Sequence, residues 1–287
     1  MKLIYPKVEL LTQEPGLVGM YKHIENVARV CYLSNNKITD DSYKKMISML
    51  TAKEHLSPLE HSTVYLKLSY KNRIYRNTFI DNPYSLTYVN NELYVATNYR
   101  VLYEWDMLLD LLNDAIEYKD IINPPEDFKR YTVKLTCSIG IAREFCRHRA
   151  FSFMQESTRF VDHSNTNKVG DHISFIYPTW LFDLPEITLN SHEEIRDFID
   201  LNYNGSRQLL GHLLECEKAY KNLREWKLSP QQARDVLPLA TKTILIMTGF
   251  KHQWDKFFKD RISKAAHPDA RYLANKIKDV LNNSFKN

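Results

Sequence analysis

The stretch RHRAFSFMQESTRF, residues 147–160, is strongly cationic and strongly aromatic at once. It holds three arginines and a histidine beside three phenylalanines. A solvated basic surface has no use for the phenylalanine rings, and a protein core does not tolerate this many unpaired charges. The combination therefore predicts a site where anionic groups are held against an apolar wall, and the rest of the chain must indicate which anions.

The overall composition is that of an ordinary globular chain. Its 287 residues are 44% hydrophobic and 26% charged, which is enough to bury a full core. The four cysteines form no CxxC pair, so we expect no disulfide framework, no metal site and a reducing, cytoplasmic setting. The sequence shows neither a long apolar run nor a signal peptide, so we expect no membrane association.

The common nucleotide-binding loops do not occur in the sequence. Glycine is scarce, with seven residues, and neither GxGxxG nor GxxxxGK[ST] is present. A nucleotide would have to be bound by arginines, hydroxyl groups and helix ends. The net charge of +4 does not by itself indicate nucleic acid as a partner.

Hydrophobic periodicity predicts one α+β domain over residues 1–287, with a mixed or antiparallel sheet flanked by helices and no Rossmann arrangement. An Asn-Asn pair inside 71–98 predicts a hairpin. Alternating, β-rich stretches predict strands at 62–70, 131–139, 172–178 and 241–250. Apolar residues at helical spacing predict helices at 19–32, 40–55, 101–118, 141–151, 192–225, 229–238, 251–261 and 267–283.

Each short motif also has a plain structural interpretation. The two histidines of HLSPLEH (55–61) are six residues apart, which is not a zinc spacing, and the segment is typical of a turn between a helix and a strand. An isolated RHR usually belongs to a solvated helix end. Arg234 could be exposed or paired with Asp235, and Arg261 could complement a helix dipole.

Two features of the stretch 147–160 and its flank concern chemistry. Ser157, as a neutral donor, and Arg159, as a bidentate cation, could bind one phosphate together. Cys146 precedes Arg147 and His148, which could lower the pKa of its thiol, so a thiolate at Cys146 stays an open alternative. No Ser-His-Asp order and no carboxylate pair for glycoside hydrolysis stands out.

Taken in order along the chain, five motifs resemble the flavin-dependent thymidylate synthase family. They are HLSPLEH (55–61), RHRAFSFMQESTRF (147–160), ARDVLP (233–238), GFKHQWDKFFKDR (249–261) and AHPDARYLA (266–274). The spacing from Arg147 to Ser157 is the most specific part of the pattern.

The resemblance implies an enzyme with that family's fold that reductively methylates dUMP to dTMP. Methylenetetrahydrofolate would donate the carbon and NADPH-reduced FAD the hydride, with no cysteine nucleophile. The family resemblance also implies a homotetramer with sites shared between subunits, and no nucleic-acid or membrane partner. The anions held by the stretch 147–160 would then be the phosphates of the flavin and the nucleotide.

The resemblance further implies roles for individual residues. Arg261 would approach the uracil ring and stabilise negative charge developing there, with Ser157 and His55 completing the catalytic group. The implied dUMP contacts are Glu144, Gln155, Ser157, Arg159, Arg234 and Arg261. The implied FAD contacts are Ser57, Glu60, Arg147, His148, Arg149 and His252.

The chain departs from the family pattern at several positions. Met154-Gln155 stands where some members have Asn-Glu, and Phe160 replaces the usual tyrosine. Glu144 stands where some members have glutamine. Phe250, His252 and Lys256 stand where many members have asparagine, arginine and asparagine. In addition, we interpret residues 71–130 as an insertion between two strands that lie closer together in compact members.

Three other interpretations stay open. A flavin- and folate-dependent enzyme that modifies another pyrimidine nucleotide, for example by hydroxymethylation, would be distinguished by product mass. A single-stranded nucleic-acid-binding protein would stack bases on the aromatic residues and bind with a steep salt dependence. An inactive homologue is favoured only by Phe250 and His252, whereas the retained arginines favour activity.

Overall fold

The computed structural model describes residues 1–69, 71, 73–106, 108–199 and 204–285. The strands are β1 Lys2–Ile4, β2 Lys7–Leu11, β3 Val64–Leu68, β4 Leu86–Asn90, β5 Glu92–Thr97, β6 Ala115–Ile116, β7 Arg130–Ser138, β8 Ser152–Gln155, β9 Ser174–Ile176, β10 Ile187–Thr188 and β11 Lys242–Phe250. The α-helices are α1 Gly16–Val30, α2 Ser42–Ala52, α3 Arg73–Ile80, α4 Tyr99–Glu104, α5 Leu108–Leu111, α6 Ile139–Phe145, α7 Thr166–Val169, α8 His192–Phe198, α9 Asn204–Glu225, α10 Pro230–Ala233, α11 Lys251–Arg261 and α12 Pro268–Phe285. The predicted α+β class is confirmed, and no helix in the described ranges is long and apolar enough to cross a membrane.

The central sheet has four antiparallel strands in the order β2-β7-β11-β8. Its longest pairing joins β7 to β11 over nine residues, from Arg130 opposite Phe250 to Ser138 opposite Lys242. β-Branched and aromatic residues are frequent in both strands, and such side chains pack well on a pleated surface. The prediction of a mixed or antiparallel sheet is therefore confirmed.

Helices cover both faces of the central sheet. One face packs against α6, α11 and α12, where Trp254 and Phe257 are fully buried at 0% exposure. The other face packs against α1 through Val27 and Ile246, also at 0% exposure. Burial on both faces explains why β11 is apolar at the four consecutive positions 244–247, whereas β7 alternates between polar and apolar residues.

Two further sheets extend the fold on either side of the central one. The order β4-β5-β3-β6 forms an antiparallel sheet that packs on α1 and α2. The order β10-β1-β9 forms a small sheet under α8 and α9, and among the described strands its β1–β9 pair is the parallel one. The predicted hairpin is confirmed as β4 and β5, which Asn91 joins with a φ of 59°. The interpretation of 71–130 as an insertion stays a prediction.

The predicted helix over 101–118 is wrong. The chain forms the short helices α4 and α5, and then β6, where Ile116 pairs with Tyr65 of β3. Asp106 has a φ of 53°, in the left-handed region, so the helix cannot continue through it. Pairing with a neighbouring strand therefore overrides the helical spacing of the apolar residues.

The prediction of one long helix over 192–225 is also wrong. Helix α8 ends at Phe198, and Ile199 is extended with φ −112° and ψ 120°. The guanidinium of Arg207 donates to the carbonyl oxygens of Ile199 at 2.6 Å and Arg196 at 3.0 Å. These bonds satisfy carbonyls that a continuing helix would have used.

Gly249 gives a stability test of the central sheet. A Cβ atom at this position would lie 2.7 Å from the Phe151 ring and 2.8 Å from Oε1 of Gln253. We expect Gly249→Ala to lower the free energy of unfolding by about 1–3 kcal/mol, because the buried ring cannot move away. Urea denaturation measures this change.

Gly205→Ala is the matched control. It lies in α9, and apart from its chain neighbours and the backbone of its own helix, no atom of the described residues lies within 4 Å of the point that an alanine Cβ would occupy, so alanine should be neutral or stabilising there. Equal unfolding free energies for the two variants would contradict the described packing of β11.

Candidate active site

Arg261, His148 and Glu144 form one hydrogen-bonded cluster. The Arg261 guanidinium donates from Nε to Nε2 of His148 at 2.8 Å and from Nη1 to Oε2 of Glu144 at 2.9 Å. Its Nη2 donates to the backbone oxygen of Glu144 at 2.8 Å. The predicted helix over 141–151 is therefore too long, because α6 ends at Phe145 and Arg261 satisfies a carbonyl at that end.

His148 is held as a neutral ring in this cluster. Its Nε2 accepts the bond from Arg261, so its proton is on Nδ1. Burial, followed by the nearby charge of Arg261, lowers the pKa of His148. The ring packs edge-on against Phe257 at a centroid distance of 5.0 Å, which fixes its orientation.

Arg147 and Arg149 flank His148 and point a different way. Both residues are exposed, and neither side chain has an acidic partner within the described part of the chain. Two cations without a carboxylate are available to an anionic ligand such as a phosphate or pyrophosphate. The interpretation of RHR as the exposed face of a helix end is half correct, since the arginines are exposed and the histidine is not.

A second cluster lies where β8 ends. The backbone N–H of Arg159 donates to Oγ of Ser157 at 3.3 Å, and the backbone N–H of Ser157 donates to the Cys31 oxygen at 3.2 Å. Arg234 reaches the same turn and donates to Oγ1 of Thr158 at 3.3 Å. The amide of Gln155 donates to Thr243 at 3.2 Å. The structure thus brings together the predicted residues 155, 157, 159 and 234.

Glu156 holds this second cluster in place and was missed by sequence reasoning. Its side chain is 1% exposed, lies 2.6 Å from Nζ of Lys242 and accepts the backbone N–H of Ile244 at 3.1 Å. Strand alternation could have predicted that Glu156 is buried, because every second residue before it, Met154 and Ser152, is buried. A carboxylate at a strand position that faces the protein interior predicts an ion pair with a nearby cation.

The turn Ser57–His61 presents the third set of predicted residues. His55 and Ser57 are exposed, whereas the carboxylate of Glu60 is bound by Nη1 of Arg100. Arg130, which was not predicted, lies beneath the turn and donates to the Glu60 backbone oxygen at 3.0 Å. The turn between a helix and a strand expected for this motif is confirmed.

Phe250 and His252 have different positions despite their closeness in sequence. Phe250 is 2% exposed and belongs to the core, with the Arg130 guanidinium 5.3 Å from its ring. His252 is exposed and stacks on Phe250 at a centroid distance of 5.9 Å. Lys256 is exposed on α11. Of these three positions, His252 and Lys256 are accessible to a ligand.

The predicted dUMP contacts fall into two groups in one chain. Arg261 and Glu144 bond to each other close to His148, which precedes β8 in the sequence, and Ser157 and Arg234 belong to the turn that follows β8. No hydrogen bond or ion pair joins the two groups among the described residues.

All four cysteines are free thiols. Burial raises the pKa of Cys31 to about 11 and raises the pKa of Cys137, Cys146 and Cys216 as well. The possibility that Arg147 and His148 lower the pKa of Cys146 is therefore wrong, because burial dominates. None of these thiols is activated as a nucleophile.

The fold and the site together define an α+β protein without a Rossmann loop, whose segment 147–160 has exposed arginines. The chain belongs to the thymidylate synthase complementing protein family, whose model matches residues 90–285. The family resemblance expected from the five motifs is thereby confirmed. The match contains every predicted site residue except His55, Ser57 and Glu60.

The names of individual relatives agree with this family membership. A flavin-dependent thymidylate synthase from Aquifex aeolicus is 20% identical over 92% of this chain and 95% of its own. A flavin-dependent thymidylate synthase from Mycobacteroides abscessus is 34% identical to this chain. That match covers 47% of this chain and 52% of the relative, so the chain spans about half the length of that relative. A probable flavin-dependent thymidylate synthase from Paramecium bursaria Chlorella virus 1 is 26% identical over 54% of this chain and 67% of its own.

The cluster around His148 gives a titration test. Arg261→Gln should raise the pKa of His148, because the replacement removes a cation that opposes protonation of the ring. NMR titration of the imidazole carbon-bound protons measures the shift. Lys259→Gln, an exposed cation on the same helix, should leave the His148 pKa unchanged, and an equal shift in both variants would contradict the described contact.

Proposed function

We propose that this chain is a flavin-dependent thymidylate synthase that converts dUMP to dTMP, with FAD as cofactor and with NADPH and methylenetetrahydrofolate as co-substrates. The observation that carries the proposal is family membership over residues 90–285. The five ordered motifs and the names of the relatives support the same reaction. The family's specific fold is part of this proposal, and the antiparallel central sheet between helices is compatible with it.

The residues present fit an FAD cofactor. The pyrophosphate of FAD needs cations, and Arg147 and Arg149 are exposed and have no acidic partner in the described ranges. The Ser57 hydroxyl and the His252 ring are exposed and would supply further polar contacts. When bound and reduced by NADPH, FAD supplies the hydride while the folate supplies the carbon.

The second cluster fits the phosphate of dUMP. Arg234 has one guanidinium nitrogen on Thr158, and Arg159 is exposed with its guanidinium 5.0 Å from the Phe160 ring. Both cations therefore keep free donors. The Ser157 hydroxyl and the Gln155 amide add neutral hydrogen bonds, which suits a phosphate and the adjoining nucleoside.

Arg261 would act on the pyrimidine ring itself. Its contacts with His148 and Glu144 fix the guanidinium before substrate arrives, and a fixed cation stabilises developing negative charge without reorganisation. The neutral His148 would hold the proton on Nδ1 and keep Nε2 as an acceptor for Arg261. His55 is exposed on its turn and would contact the flavin and folate rings.

A homotetramer with shared sites would unite the separated groups. Within one chain, Arg261 and Arg234 lie in clusters that no described hydrogen bond connects. If one chain supplies the phosphate-binding cluster and another supplies the flavin-binding arginines, each site is complete.

The four free thiols suit a cytoplasmic protein.

The activity itself is the most direct test. With FAD, NADPH and methylenetetrahydrofolate, the purified protein should add one methyl group to dUMP, as measured by mass spectrometry of the nucleotide. A hydroxymethyl product would replace this proposal by the related activity. Unmodified dUMP with a flavin-loaded protein would remove dUMP as the substrate.

Arg234 gives a test of the phosphate-binding cluster. Arg234→Ala should weaken dUMP binding about tenfold or more, since a charge-assisted hydrogen bond contributes about 1.5–3 kcal/mol, while flavin content is retained. Isothermal titration calorimetry measures the affinity. Arg196→Ala removes an exposed arginine on α8 and should leave dUMP affinity unchanged. Equal affinities in the two variants would contradict the assignment of Arg234.

Mixing two inactive variants tests the shared sites. If Arg147 and Arg234 serve one site from different chains, random mixing of Arg147→Ala with Arg234→Ala chains should make about a quarter of the sites intact. Co-expression with two affinity tags and an activity assay of the doubly tagged tetramers measures this. Absence of recovered activity would place both arginines of a site in one chain.

A further inference from the structure

A cavity of about 470 Å³ is lined by none of the predicted site residues, although Arg130 in its wall also supports the turn Ser57–His61. It is enclosed by the β2 and β7 edge of the central sheet, the first turns of α1, the strand β3 and the segment 112–118. Its volume falls within the range of roughly 300–1,000 Å³ that is usual for small-molecule sites. The proposed dUMP and FAD sites therefore do not account for it.

Aromatic rings and aliphatic side chains form most of the cavity wall. The rings of Tyr65 and Tyr118 lie 5.4 Å apart, and Tyr131 completes the aromatic part. Nζ of Lys129 lies 5.4 Å from the Tyr118 ring and 5.6 Å from the Tyr131 ring. A wall of this kind accepts a flat apolar body and places one ammonium group beside it.

The inner wall contains a buried cation without a carboxylate. The Arg130 guanidinium donates to the backbone oxygens of Glu60 and Thr97, at 3.0 and 3.3 Å, and to that of Ser62. No carboxylate bonds to it within the described residues, because the Glu60 side chain is bound by Arg100. Burial lowers the pKa of Arg130 to about 10, so it remains charged at neutral pH. With Lys129 it supplies the two positive charges of a cavity that Glu14 and Glu117 also line.

His23 adds a neutral polar group next to this cation. It is 6% exposed, and its Nε2 atom has no hydrogen-bond partner among the described residues. Burial and the charge of Arg130 lower the pKa of His23 to about 4, so the ring is uncharged at pH 7. Glu117 and Glu14 also line the cavity; Glu117 accepts the Gly16 N–H at 2.8 Å, and the two carboxylates oppose further negative charge next to them.

We infer that this cavity is a second binding site, for a planar aromatic molecule with a single carboxylate. The ring would lie against Tyr65, Tyr118 and Tyr131. The carboxylate would lie on the side of Arg130 and Lys129, and because Glu14 and Glu117 also line the cavity, a second negative charge on the ligand would be repelled. The lining residues Leu10 and Met20 cover the apolar side of the ring.

Benzoate is a suitable probe with the full-length protein. Methyl-labelled methionine NMR follows Met20, which lines the cavity. We expect a saturable shift of the Met20 signal with benzoate, and at least about tenfold weaker binding of the uncharged isostere benzamide. Lys129→Met should weaken benzoate binding about tenfold. Lys7 does not line the cavity and its side chain is 61% exposed, so Lys7→Met should leave the benzoate affinity unchanged.

Ala115→Phe fills the cavity without removing a charge and should abolish benzoate binding. The inference is overturned if the Met20 signal does not move, if benzamide binds as well as benzoate, or if the folded Ala115→Phe protein binds benzoate normally. Should Ala115→Phe fail to fold, Lys129→Met at the partly exposed rim decides, and unchanged benzoate affinity there overturns the inference.

Discussion

The uninterrupted pairing of β7 with β11 determines where the site residues lie. The ladder spans nine residues, about 30 Å, and each strand leads directly into a helix that reverses over the same face. Helix α6 starts at the Ser138 end and α11 at the Phe250 end, and they extend about 10 Å and 16 Å toward each other. Their C-terminal ends therefore meet, and Arg261 comes within hydrogen-bonding distance of Glu144.

The cations of the site divide into two kinds with different tasks. Arg261, Lys242 and Arg100 are each bound to a carboxylate and hold segments of backbone in position. Arg147 and Arg149 have no such partner in the described chain and are exposed. Paired cations hold the scaffold and, in the proposed role of Arg261, are fixed in place before a substrate ring arrives, whereas unpaired cations at the surface are those that a phosphate can use. The carboxylate of Glu144 binds the Arg261 guanidinium, and this contact is a structural reason for a carboxylate at position 144 in this chain.

The sequence predicted most of the central fold and part of the site arrangement. The strands at 131–139 and 241–250 and the helix at 251–261 follow directly from residue pattern, because local preference and burial agree there. The helix at 101–118 failed because β6 pairs with a strand far away in sequence. Likewise, no local pattern shows that Arg261 ends α6 or that Arg130 supports the turn Ser57–His61, since both contacts cross more than 60 residues. The individual dUMP and FAD contacts remain predictions.

The buried thiols have a practical consequence for spectroscopic work. Maleimides and iodoacetamides react with the thiolate, and all four cysteines have raised pKa values, so at neutral pH their alkylation should be slow. A cysteine introduced at an exposed position such as Lys259→Cys would then carry a fluorophore selectively on the native background. A fluorophore at that position can report on conformational motion without prior deletion of the native cysteines.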